Sequence, residues 1–286
     1  MLSKADLFER LAEGHAARIT VVTPNKRLSQ ALMSEFDAFQ IRKNLTVWEA
    51  PDILPFGAFA GRLYEDALYS DIAAELPMLL TPAQEEELWK QIVAKSGLLA
   101  VEGAAAKCRD AWNLANLWRI APGAGNEDTV AFSSWLKKYQ EKTQGEVDAA
   151  RLPDLLLKFI PELKVPKVLV PYAFDILPPQ TKAVFEALAL HGVEVLASQP
   201  AKRSGSVSRT SFGSAKEELE KAAQWARARL EEGRARIGVV VPDLQKRRTE
   251  VVRVFSRVMR PGYNLPGAAK TALPFNVSLG DRKSVV

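Results

Sequence analysis

Hydrophobic and polar positions along residues 18–39, RITVVTPNKRLSQALMSEFDAF, change period once. An apolar run, Ile19–Thr23, reads as a short strand and breaks at Thr23-Pro24-Asn25. From Lys26 onward Leu28, Leu32, Phe36 and Phe39 recur at helical spacing, so a strand feeds a helix through a polar turn carrying two cations, Lys26 and Arg27. The alternation continues with a short strand near Leu45–Trp48 and a helix from about Leu54 to Leu68. Thr81-Pro82-Ala83-Gln84 then supplies an N-cap, a proline at the first helical position and a capping-box partner. The helix it opens is expected to bury Leu88, Trp89, Ile92 and Val93. Helical spacing persists to about Ile160 through Trp112, Ala115 and Trp118 and then Val130, Trp135 and Tyr139. Aromatic stripes at this spacing are read as core, not as a platform for stacked bases.

Strand character returns at Val165–Val170; Pro178-Pro179 opens a helix to Leu190, and Val193–Ala197 reads as a further strand. Residues 198–208, SQPAKRSGSVS, are polar and basic, with a linker expected at 201–206. Beyond it the pattern predicts strand Val207–Phe212, a helix capped by Ser214 with Glu217, strand Arg236–Val241, a helix capped by Asp243, and a strand at Pro274–Gly280. Strands alternating with helices of this length form a parallel sheet with crossover helices. The expected organisation is an α/β domain from residues 1–74 and 161–200, an all-helical insertion at 75–160, the linker, and a partial second α/β domain at 207–286. The run from that last strand into DRKSVV, with no helix to cover it, gives the expectation that the second domain is incomplete.

At 286 residues the chain suits about two domains of roughly 100–200 residues each. Its 47% apolar and 26% charged content excludes a fibrous or wholly disordered chain. Apolar runs such as Val168-Leu169-Val170 are far shorter than the roughly 20 residues of a membrane span, and MLSKADLFERLAEG reads as an amphipathic helix instead of a signal peptide. A soluble cytoplasmic protein with no membrane contact is expected. The single cysteine, Cys108, has no partner for an internal disulfide and reads as a packed thiol; His15 and His191 stand far apart without companion cysteines, which argues against a structural zinc site. The net charge of +5 conceals an imbalance: residues 201–286 carry 18 Lys/Arg against 8 Asp/Glu, leaving 21 against 26 for the rest. A polyanionic partner for the C-terminal third is one reading and a solvated charged face the other.

A basic turn between strand and helix is a place where a phosphate backbone can dock, because free N–H groups and the positive helix end point outward there. Thr23, Asn25, Lys26 and Arg27 are therefore candidate nucleic-acid contacts, as are Lys246, Arg247 and Arg248 in the C-terminal third; an ordinary cap and a solvated face are the alternative for both sets. No Gly-rich phosphate loop precedes the first strand, and GxxxxGK[ST] occurs nowhere. Pro153-Asp154 and Glu162-Leu163-Lys164 spell the PD…ExK pattern of a metal-dependent nuclease. That chemistry needs both acids on adjacent strands, whereas LPDLLLKFIPELK reads as a short helix stopped by Pro161, so the match is attributed to chance.

The order of these segments resembles the motor region of superfamily 1 helicases of the UvrD and RecB kind, most closely the degenerate AddB-like subunits and related bacterial DNA-repair proteins with a helicase-like region ahead of a RecB-type nuclease domain. Val21–Leu28 matches the strand and turn called motif Ia, which touches single-stranded DNA; Val168–Asp175, with Pro179-Gln180, resembles the Walker B region. Ile237–Leu244 with Arg247 and Arg248 is similar to motif IV, and PFNVSLG to the strand after it. The resemblance implies a RecA-like (P-loop NTPase-like) parallel-sheet domain with a helical insertion, followed by the start of a second RecA-like domain. It implies single-stranded DNA and a helicase or nuclease subunit as partners, in DNA repair and recombination. Pro171 and Tyr172 stand where the family has an Asp-Glu pair, and the phosphate-loop lysine is missing. The expectation is a catalytically silent module that uses no cofactor or metal, with a protein-interaction scaffold lacking nucleic-acid affinity as the alternative.

Overall fold

A computed structural model of the chain describes residues 2–123, 125–198, 206–234, 236–267, 272 and 274–278. Two compact units are present, Met1–Ala201 and Lys202–Val286.

The first unit is built on β1 (Ile19–Thr23), β2 (Ile53–Pro55), β5 (Val168–Pro171) and β6 (Glu194–Val195), parallel throughout in the order β2-β1-β5-β6. All five residues of β1 are buried. Successive side chains of a strand point to opposite faces, and the two faces meet different helices. Ile19 and Val21, with Ile53, Val168 and Val170, pack on Leu7, Phe8 and Leu11 of α1 (Lys4–Leu11) and Leu32 and Phe36 of α2 (Lys26–Arg42). Val22 and Leu169 pack on Phe59 and Leu63 of α3 (Phe56–Ala67), Leu156 of α7 (Leu152–Leu156), and Phe185 and Leu188 of α8 (Pro179–Leu190). A three-layer α/β sandwich results. On the α3 face, Thr20 Oγ1 donates to Asp52 Oδ2 (2.5 Å) and Arg62 Nη1 to Asp52 Oδ1 (2.6 Å), tying β1, the approach to β2, and α3 together.

Between β2 and β5 along the chain stand α4 (Pro82–Ala94), α5 (Val101–Trp118) and α6 (Glu127–Lys142), packed around Trp89, Cys108, Trp112 and Tyr139. The rings of Trp89 and Tyr139 stack at 4.2 Å and 6°. The capping box at Thr81 forms as expected, with Thr81 Oγ1 accepting from Gln84 N and Gln84 Oε1 accepting from Thr81 N. The insertion is not all-helical, however: β3 (Met78–Leu79) and β4 (Glu146–Val147) pair in parallel where the chain leaves and re-enters the sandwich. Two-residue strands carry no period to read.

Several strand boundaries also differ from expectation. Leu45–Trp48 forms no strand, and Val47 is 84% exposed. The Trp48 indole donates instead to Asp37 Oδ1 on α2 (3.0 Å), holding this segment against the helix, and the strand forms at Ile53–Pro55, with α3 starting at Phe56. β5 is shifted toward Pro171, and β6 shortens to two residues.

In the second unit, α9 (Ala215–Glu231) and α10 (Leu244–Met259) pack through Leu219, Ala223 and Ala226 against Val251, Val254 and Phe255. They run in the same direction: Arg247 Nη2 reaches Ala215 O near the two N-termini, and Arg227 Nη1 reaches Val258 O near the two C-termini. The strands expected at 207–212, 236–241 and 274–280 form no ladder among the described residues, and residues 279 and 280 lie outside them, as do linker residues 201–205. A run such as Ile237–Val241 reports compatibility with a sheet, but a strand exists only where a second edge pairs with it.

Leu169→Ala at the centre of the sandwich is expected to cost about 2–5 kcal/mol, and Val207→Ala, at a side chain almost wholly in solvent, less than about 0.5 kcal/mol. Urea denaturation followed by circular dichroism checks both.

Candidate nucleic-acid interface

Because the four-stranded sheet is wholly parallel, the carboxyl ends of its strands lie along one edge. From β1 the chain crosses through α2 to β2 on one side, and β5 lies on the other, so the switch of direction falls between β1 and β5. Two sequence segments meet there, Thr23–Arg27 after β1 and Pro171–Asp175 after β5; Tyr172 N donates to Val22 O at 2.8 Å. The N-termini of α2, α3 and α8 follow β1, β2 and β5 on this edge, each with the positive end of its dipole.

The four candidates of the first turn separate into two kinds. Thr23 is fully buried, and its hydroxyl donates to Asn25 O at 2.9 Å. Asn25 Oδ1 accepts from Leu28 N at 2.9 Å and caps α2. These two residues shape the turn. Lys26 and Arg27 are exposed on the first turn of α2, which contains no acidic residue. Charge is therefore presented outward by the cations while the polar pair beneath fixes where they stand.

At the end of β5 the loop is anchored on both sheet faces. Tyr172 joins the α1/α2 core, while Phe174 packs edge-on against Phe185 at 5.7 Å. Ala173 between them adopts φ +56°, a left-handed conformation costly for a residue with a Cβ and maintained by the anchors on either side. Asp175 is exposed on the way to α8.

The second basic set lies on the first turn of α10. Lys246 and Arg248 are exposed. Arg247 is half-buried: its Nε donates to Glu250 Oε2 at 2.9 Å and its Nη2 to Ala215 O at 3.3 Å, which joins α10 to the start of α9. The same guanidinium holds the Glu250 carboxyl below the usual carboxylate range. Asp243 occupies the N-cap position but makes no side-chain cap, since its backbone (φ −97°, ψ 33°) departs from the extended form a cap requires.

The nuclease-like pattern resolves as structural. Asp154 sits in α7, bound by both terminal nitrogens of Arg119 (2.8 and 2.5 Å) and by Gln180 Nε2 (2.9 Å), while Glu162 ends a 3-10 turn, Ile160–Glu162. Among the described residues no group of three His, Cys, Asp or Glu is placed to hold a metal ion. Burial pushes the Cys108 thiol up to about 11, which leaves it protonated and inert. Sequence reasoning overlooked a second polar cluster, Glu85, Asp148 and Arg151 with Trp112 and Tyr139, buried in the insertion. One signal was available: Glu85 falls four residues before Trp89, on the buried stripe of α4.

Neither a model of a known protein family nor a curated protein matches the chain. Among the described residues no helix is long and apolar enough to cross a membrane.

Replacing the α2 cap by Asn25→Ala is expected to lower stability by about 1 kcal/mol, and Asn25→Asp to preserve it, because aspartate caps as well and complements the helix dipole. Thermal melts of the three proteins make the comparison.

Proposed function

We propose that the chain is a RecA-like, helicase-like module of a cytoplasmic DNA-repair protein. It binds or guides single-stranded DNA at the carboxyl edge of its first sheet and turns over no ATP. The observation that carries this reading is the pair of exposed cations, Lys26 and Arg27, on the positive end of α2 at the switch of the parallel sheet. A phosphate backbone gains there from two full charges and from a helix dipole, and needs no base-specific group to do so. Lys246 and Arg248, exposed on α10, supply a second basic turn of the same kind in the other unit. The silence toward ATP follows from residue chemistry: β5 ends at Pro171 and Tyr172 follows, neither of them a carboxylate that could hold magnesium, and no phosphate-loop lysine occurs in the sequence. A helicase or nuclease subunit supplies the catalytic steps in this reading.

A second reading, a protein-interaction scaffold without nucleic-acid affinity, draws on one observation. Thr23, Asn25 and Arg247 all use their side chains in contacts within the fold.

Fluorescence anisotropy with a labelled single-stranded oligonucleotide at low and moderate salt separates the two. Phosphate contact predicts a log–log salt slope of about −0.7 per phosphate neutralised, and Lys26→Glu with Arg27→Glu should reduce both affinity and slope while the circular-dichroism spectrum stays that of the folded protein. Binding indifferent to salt and to both substitutions would leave the scaffold. With ATP, magnesium and the oligonucleotide, phosphate release should stay at background.

A further inference from the structure

The insertion joins the α/β sandwich at a root. The chain leaves through β3 and returns through β4, and Leu80 N donates to Val147 O at 2.8 Å just past the ladder. Each crossing is followed by a buried acid: Glu85 in the first turn of α4, and Asp148 directly after β4. The two acids are treated very differently. Asp148 is fully buried and surrounded by donors, with Oδ2 accepting from Trp112 Nε1 of α5 (3.1 Å), Tyr139 Oη of α6 (3.1 Å) and Arg151 Nε (2.8 Å), and Oδ1 accepting from Arg151 N (2.9 Å). Arg151 is steadied in turn by Thr143 Oγ1 at 3.0 Å. Glu85 is 4% exposed, and its Oε1 has no hydrogen-bond partner; neither has Trp89 Nε1 one turn along the helix. A buried carboxylate oxygen without a donor is costly, and a protonated carboxyl at the same place much less so.

We propose that Glu85 and Asp148 make the root of the insertion a proton-dependent joint, closed while Glu85 holds a proton and loosened when both acids carry charge. The groups facing Glu85 define the balance. Asp148, on the returning segment, opposes its ionisation; Arg109 on α5 and Arg151 favour it more weakly. Tyr139 on α6 also faces the pair, and burial raises its phenol so that it remains a neutral donor. On α4 itself, Glu86 pairs with Lys90 at 2.8 Å and stands 3.7 Å from Arg109, which divides the attention of that guanidinium. Burial first, and the charge of Asp148 second, raise the Glu85 carboxyl from 4.5 to about 7. The folded form therefore binds the proton more tightly than the unfolded one. The stabilisation that the Glu85 proton contributes is full below about pH 4.5, declines as pH rises toward 7, and levels off above. The joint requires no nucleic acid and holds whether or not the first unit binds any.

Hydrogen exchange on the whole chain, corrected for intrinsic rates, reads the effect in α4 and in residues 146–152. From pH 5.5 to 8 the wild-type opening equilibrium should rise roughly thirtyfold, while Glu85→Gln, a neutral isostere, and Glu85→Leu should stay flat. Equal slopes in wild type and variants, or a flat wild type, would overturn the joint. Carbon-13 carboxyl resonances of glutamate-labelled wild-type protein give an independent reading that needs no variant to fold. A Glu85 midpoint near neutrality supports the proposal, and one in the ordinary glutamate range refutes it.

Discussion

The first unit depends on one constraint: β1 is buried on both faces and paired on both edges, with β2 on one side and β5 on the other. Every main-chain group of such a strand must find its partner inside the protein. The ladder supplies partners along its length, but Pro24 has no N–H to continue it. The strand can therefore end only where local groups take over, and the Thr23 hydroxyl and Asn25 side-chain oxygen do so. The position of Lys26 and Arg27 is a by-product of that accounting. They are exposed because they are the first helical residues after the chain leaves a layer with no room for water.

Much of this was legible in the sequence, and the boundary between what was and was not is physical. Long helices declare themselves through repetition: α2, α4, α8 and α9 each present several apolar side chains at helical spacing, with caps at Asn25, Thr81 and Ser214. Short strands do not. β3, β4 and β6 have two residues apiece, and their existence is decided by which backbone edge happens to lie alongside. The same reasoning explains Val47, whose surroundings resembled a strand until Trp48 found Asp37. For the candidate interface, sequence identified the turn but not the division of labour within it, because whether a threonine hydroxyl faces outward or inward is set by tertiary contacts. Arg247 makes the point again in α10, where a carboxylate and a distant carbonyl engage the guanidinium. The Asp148 cluster was the least visible, being assembled from five residues scattered between positions 85 and 151.

The two units show how far helices and strands differ in autonomy. α9 and α10 make the main-chain hydrogen bonds of their interiors within themselves and bury a shared stripe of Leu219, Ala223, Val251, Val254 and Phe255. The segment between them must run back against both, since the helices are parallel. Ile237 and Val241 pack toward the helices while Val240 is left 91% exposed. Among the described residues the second unit is therefore a helix pair with one extended segment packed on it.

Arg119, Asp154 and Gln180 do more than occupy the acid of the nuclease-like pattern: they fasten the insertion to the sandwich. Arg119 caps the C-terminus of α5 in the insertion, while Asp154 and Gln180 belong to α7 and α8 of the sandwich. The helical bundle is consequently pinned at two places, at β3 and β4 and again at this clamp. The two attachments differ in kind: the ladder at the root is main-chain pairing that no single side chain supplies, whereas the clamp rests on one guanidinium and the two side chains that share the Asp154 carboxylate with it.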